Sequence, residues 1–162
     1  MGGIVFLDTN GSMLNIIKKL LRENLIDVLG ISLKGLTEQE ALKTSGVKNP
    51  ILCWYNVLET IKIASNCENV RVIVTYVAFD DFDYMKLCGF AKILEDINNN
   101  IYLKINNLCG DKHRDMNLKA LDEDVLPKMI SEFVKKNPKW KDRVILINSS
   151  EGVTDYTKIM FS

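Results

Sequence analysis

Aspartates at strand ends are the residues of this chain whose types and spacing could do chemistry. Asp8 closes the apolar run "IVFL" (4–7), and an amphipathic stretch begins a few residues later. Asp80, Asp81 and Asp83 follow the strongest β-branched run, "VRVIVTYV" (70–77), in which Thr75 stands near the end. Carboxylates converging from such ends would hold a hard divalent cation, which prefers oxygen ligands. Each also has a plain structural job open to it, because an acidic residue before a helix stabilises its N-terminus. Lys104, after "IYL", is a strand-end lysine that could face the same edge. His113, the single histidine, sits among charges in "GDKHRD" and reads as a solvated loop residue, since a general base needs a positioned partner. "SSEG" (149–152) lacks the spacing of a phosphate loop and reads as a turn.

The elements that must position these groups follow from hydrophobic period. "IVFL" is continuous, as in a strand covered on both faces. Met13, Ile16, Ile17, Leu20 and Leu21 then fall on one helical face, with Asn10 or Ser12 as the cap. "VLGISL" (28–33) is a strand, and "TEQEALK" (37–43) a short helix opened by a Thr37/Glu40 capping box. "NPILCWY" (49–55) is expected as a third strand, running into a helix over 56–65. After 70–77, the stretch 80–89 reads as a helix stopped by Gly89, and "AKIL" (91–94) or "IYLKI" (101–105) as the next strand. Residues 106–121 show no period; 122–136 is a helix capped by Asp124, and "RVILI" (143–147) a last strand before a polar tail. Buried strands alternating with helices predict a doubly wound α/β fold: a mostly parallel sheet of five or six strands with helices on both faces. In such sheets ligands sit at the strands' carboxyl ends, where strand order reverses.

With 162 residues the chain is expected to form one domain. Lys plus Arg and Asp plus Glu both number 21, so no basic excess argues for a large nucleic-acid surface. The four cysteines, Cys53, Cys67, Cys88 and Cys109, form no C-x-x-C pair, which disfavours a zinc or thioredoxin-type site and suits a reducing, cytoplasmic setting. No apolar run approaches the roughly 18 residues of a membrane span, and no signal peptide is visible.

The order of pieces resembles the receiver domain of response regulators. "DTNGSMLNIIKKLL" (8–21), "GLTEQEAL" (35–42) and "VLETIKIASNCENVRVIVTYVAFDDFDYMKLCGFAKIL" (57–94) are similar to its opening, its second-helix segment and its third helix through fourth helix. The receiver-like part covers about 3–136, with 137–162 as an extra strand and tail. The resemblance implies a switch pocket of Asp8, Thr9, Trp54, Thr75 and Lys104, the last if 95–100 is an insertion. It implies a face of Tyr76, Phe82, Tyr84, Met85 and Tyr102 for a protein partner or self-association. The family's acidic pair is Asp8-Thr9 here, and no aspartate stands among Cys53, Trp54, Tyr55 and Asn56, where the phosphoacceptor should be. The implied role is a signalling or interaction module without phosphotransfer and without a cofactor.

"VFLDTN" (5–10) also resembles the first motif of PIN and NYN nucleases. That resemblance implies a ribonuclease in which Asp8, Glu59, Asp80 and Asp81 hold Mg²⁺ or Mn²⁺ to activate water. Nucleic acid is a partner under this alternative only.

Overall fold

The computed structural model describes residues 3–44, 50–108, 118–148 and 152–155. Its strands are β1 (Phe6–Thr9), β2 (Val28–Leu33), β3 (Arg71–Ala78), β4 (Tyr102–Asn107), β5 (Val144–Asn148) and β6 (Gly152–Asp155). Its helices are α1 (Leu14–Arg22), α2 (Glu38–Thr44), α3 (Pro50–Ser65), α4 (Tyr84–Ile97) and α5 (Val125–Lys136), with a 3-10 turn at Pro138–Trp140. The six strands form one sheet in chain order, β1-β2-β3-β4-β5-β6. The first five are parallel, and β6 runs antiparallel to β5. This is the expected α/β class with a mostly parallel sheet. Because strand order never reverses, the expected crevice at a reversal has no place here, and strand ends alone must supply a site.

Two compact units divide the chain: Met1–Thr75 with Lys92–Tyr102, and Tyr76–Ala91 with Leu103–Ser162. In the first, β1 pairs with β2 in the register Phe6–Val28, Leu7–Leu29, Asp8–Gly30 and Thr9–Ile31. Leu29, Ile31, Ile61 and Ala64 are fully buried. The expected double cover of "IVFL" does not hold: Ile4, Val5 and Phe6 are about half exposed or more. The reason is position, since β1 is the sheet edge and has one neighbour.

The expected third strand over 49–55 is instead the start of α3. A short apolar run cannot be told from a buried helix by period alone. Pro50 begins the helix, where a missing N–H costs nothing. Trp54, Val57, Ile61 and Ala64, all buried, continue one helical face through it. Thr37 and Glu40 do cap α2: Glu40 N–H donates to Thr37 Oγ1 (3.2 Å), and Leu36 N–H to the Glu40 carboxylate (2.8 Å).

In the second unit β4 pairs with β5, Leu103 with Val144 and Ile105 with Leu146, all four buried. Leu126, Ile130 and Phe133 of α5 and Trp140 complete that core. Along β4 the alternate residues Tyr102, Lys104 and Asn106 are only half-buried, so one face of this strand is the more open. "AKIL" is helical: α4 runs to Ile97 through Gly89, whose α-carbon faces open space. Val144–Asn148 is the strand expected near 143–147, and Gly152–Asp155 adds a strand where a tail was expected. His113, Cys109 and most of "SSEG" lie outside the described residues.

Candidate functional site

The turn after β1 is held by contacts from far along the chain. Gly11 has φ +71°, a left-handed conformation that disfavours any side chain. A Cβ there would also stand 3.1 Å from Ile31 Cγ2. Thr9 Oγ1 accepts from Gly11 N–H (3.1 Å), and Asn10 Oδ1 accepts from both Ser12 N–H (3.1 Å) and Ser12 Oγ (2.8 Å). From α3, the fully buried Thr60 hydroxyl donates to Gly11 O (2.8 Å) and Asn56 Nδ2 donates to Ser12 O (3.1 Å). The helix that follows takes no side-chain cap: its N-cap is Met13, not Asn10 or Ser12 as expected.

Asp8 therefore does not serve as a helix cap. Its carboxylate lies across the sheet, over Gly30 of β2. A Cβ on Gly30 would stand 2.2 Å from Asp8 Oδ1 and 3.1 Å from Phe6 Cε1. The carboxylate and the ring edge thus converge where a side chain is missing. Gly30 is buried beneath them.

The neighbouring polar groups on this face follow from register. Val28 N–H donates to Val5 O (3.1 Å), the bond that accompanies the Phe6–Val28 pairing. Arg71 N–H donates to Asp27 O (2.9 Å) in the same relation. The same count along the parallel ladder sets Ile73 beside Gly30 and Thr75 level with Ser32. Ser32 lies two residues beyond Gly30 and so shares its face. Asp8, Ser32 and Thr75 then lie on one face of three adjacent strands, Asp8 near the end of β1, Ser32 near the end of β2 and Thr75 midway along β3, with Asp8 roughly 8 Å from Ser32 between α-carbons by strand geometry. Ser32 and Thr75 are half-buried and Asp8 is exposed.

The other expected residues are placed differently. Trp54 is buried in α3 and does not itself end a strand, because 50–65 is helical. Thr9 is occupied by the turn. Lys104 is half-buried within β4. Glu59 is exposed on α3. Asp81 pairs with Lys86 Nζ (2.7 Å), and Asp83 Oδ1 accepts from Lys86 N–H (2.8 Å), which makes these two carboxylates supports for the start of α4. Asp80 is exposed, and its N–H donates to Lys119 O (2.9 Å). Among the described residues no three His, Cys, Asp or Glu side chains are grouped to hold a metal ion.

Of the expected partner face, Tyr76 and Phe82 are core residues, 2% and 3% exposed, with ring centroids 5.3 Å apart. The alternating pattern that buries Val72 and Val74 carries on to Tyr76, which explains the correction. Met85 is 74% exposed. Tyr84 is half-buried beside Lys136 Nζ (5.1 Å from the ring centroid); burial, then hydrogen bonding with Cys88, raises its phenol above the ordinary range. Tyr102 is half-buried, with the Arg71 guanidinium 5.6 Å from its ring centroid.

Gly11, Gly30, Ser32, Asn56 and Thr60 were not expected from the sequence as site residues. Two signals for them exist. "NG" is a turn-forming pair, and a glycine inside the strand pattern "VLGISL" marks a close approach. Set against known protein families and curated proteins, the sequence matches none. Among the described residues, no helix is long and apolar enough to cross a membrane.

Proposed function

We propose that this chain is a binding module that holds a small polar molecule on the sheet face that carries Asp8, Ser32 and Thr75. The observation that carries this reading is Asp8. Its carboxylate lies across Gly30, caps no helix, and shares a face with the hydroxyls of Ser32 and Thr75. A few polar groups converging on one rigid patch give a ligand orientation and specificity. The anchored turn at 9–12 supports the reading, because strands and a fixed turn position a first contact better than a free loop.

No phosphoryl transfer enters this function. The segment expected to carry a receiver's phosphoacceptor, Cys53 to Asn56, is helical and has no carboxylate. Acetyl phosphate should leave the protein's mass unchanged. No grouping among the described residues favours the Mg²⁺- or Mn²⁺-dependent ribonuclease.

The direct test is thermal denaturation against a panel of nucleosides, sugars, amino acids and amines. A ligand at ten times its Kd adds about 1.4 kcal/mol, enough for a shift of a few degrees in Tm. At least one class should raise the Tm of the wild type, and Ser32→Ala with Thr75→Val should cancel that rise. A panel that leaves Tm unmoved overturns the proposal.

A further inference from the structure

We infer that this chain dimerises through the free edge of β1, which pairs antiparallel with β1 of a second copy about a two-fold axis at Phe6. The backbone carries the first argument. Val28 N–H donates to Val5 O, and Val5 N–H donates to the Asp27 carboxylate (2.7 Å), so the main chain of Val5 is turned toward β2. Main-chain groups alternate sides along a strand, so those of Ile4, Phe6 and Asp8 are turned outward. Among the described residues nothing pairs with them, since β1 is the edge of the sheet. Edge strands are usually blunted by lysine, proline or a bulge. Residues 3–9 hold no Lys, Arg or Pro, and the β1–β2 register runs unbroken.

The side chains point to a second copy as the occupant. Ile4, Val5 and Phe6 are 65%, 50% and 49% exposed. A two-fold axis at Phe6 sets Phe6 against Phe6 of the second copy, Val5 against its Leu7 and Ile4 against its Asp8. All three apolar residues are then covered, every outward N–H and C=O of Ile4, Phe6 and Asp8 finds a partner, and no charge meets its like. An axis at Asp8 would oppose two carboxylates, and one at Leu7 would set Phe6 against Asp8 and Val5 against Thr9. The axis stands perpendicular to the sheet, so α1 of each copy lies on the same side. Helix α1 packs against α3, and Met13 and Ile16 at its start stay exposed on the flank that α3 does not cover. Residues 3–17 carry no charge besides Asp8. These five side chains offer on the order of 500 Å² per copy, so pairing covers about 1,000 Å² in all, the threshold of a specific interface.

The experiment is sedimentation velocity on the full chain over a concentration series. A reversible monomer–dimer equilibrium is expected, with a Kd of roughly 10–100 μM for an interface of this size. Phe6→Lys sets two ammonium groups opposite each other at the axis and should weaken the dimer at least tenfold, with the far-ultraviolet circular dichroism unchanged. Ile4→Pro removes one outward N–H and no bond inside the fold, and should weaken it severalfold; it decides the matter if Phe6→Lys does not fold. Ile4→Lys sets an ammonium against Asp8 of the second copy, so association should hold to within about threefold. A wild type that stays monomeric up to about 1 mM, well above the expected range, overturns the inference. So does undiminished association in folded Phe6→Lys or in Ile4→Pro, or a loss in Ile4→Lys as large as in Phe6→Lys. The dimer does not depend on the ligand reading: a silent ligand panel leaves it standing, and a monomer leaves that reading untouched.

Discussion

Two of the strand-to-helix passages that carry aspartates, those after β1 and β3, solve the same problem differently. After β3, the turn at 80–83 is fixed locally: Asp83 accepts from the Lys86 amide and Asp81 pairs with the Lys86 ammonium, both within five residues. After β1, the turn at 9–12 is fixed from α3, by a buried hydroxyl 49 residues away and an amide 44 residues away. The consequence falls on the carboxylates. Where the aspartates do the holding, they are occupied. Where Thr60 and Asn56 do it, Asp8 is left to lie on the sheet. Proximity to a helix start therefore does not by itself tell a structural aspartate from an available one; the hydrogen bonds of the turn do.

The largest expected effect comes from attacking the long-range anchor. Gly11→Ala places a side chain in the left-handed region and presses a Cβ to 3.1 Å from Ile31 Cγ2. A cost of about 3 kcal/mol is expected, at the upper end of the range for such strain. Urea denaturation should show the midpoint falling with little change in slope.

Thr60→Val comes next. It keeps the side-chain shape but leaves the Gly11 carbonyl without its buried donor. A buried acceptor left unmade costs about 2 kcal/mol, and the same denaturation measurement reads it. If the loss were near zero, the turn would be holding itself, and the contrast with residues 80–83 would dissolve.

Asp83→Ala tests the local side of the comparison. It removes an exposed cap from the first turn of α4, worth about 1 kcal/mol. Helicity by circular dichroism should fall slightly, and stability should drop less than in Thr60→Val. A larger drop than in Thr60→Val would reverse the ranking of the two turns.

How much of this was legible beforehand differs between fold and site. Strands with β-branched or continuous apolar runs, at 28–33, 70–77 and 143–147, were readable because their period and composition agree. The run at 49–55 misled because an apolar residue also stands on the exposed side of the helix, Tyr55 being 58% exposed, so seven residues show no period. Gly89 misled because glycine ends helices more often than it occupies them, yet here the helix continues through it. For the site, Asp8 could be located at a strand end, but what its carboxylate faces could not. That depends on which residue of β2 is level with it, and register is set by the whole sheet, not by local spacing. Thr60 was hidden for a related reason: a threonine in an apolar helix shows nothing in sequence of the distant carbonyl it will meet.

The smallest expected effect is the one that decides what Asp8 is for. Asp8→Asn conserves volume and changes only charge. If Asp8 held the fold as Asp83 does, its loss would cost about 1 kcal/mol. Since Asp8 caps no helix and has no ion pair among the described residues, the change should stay within about 0.5 kcal/mol, as for an ordinary surface position. Parallel urea curves for the two proteins measure this directly. A cost above 1 kcal/mol would place Asp8 with the structural carboxylates of 80–83. A null or favourable change would mean that an anion stands on the sheet without serving the fold, which is the condition a binding role requires.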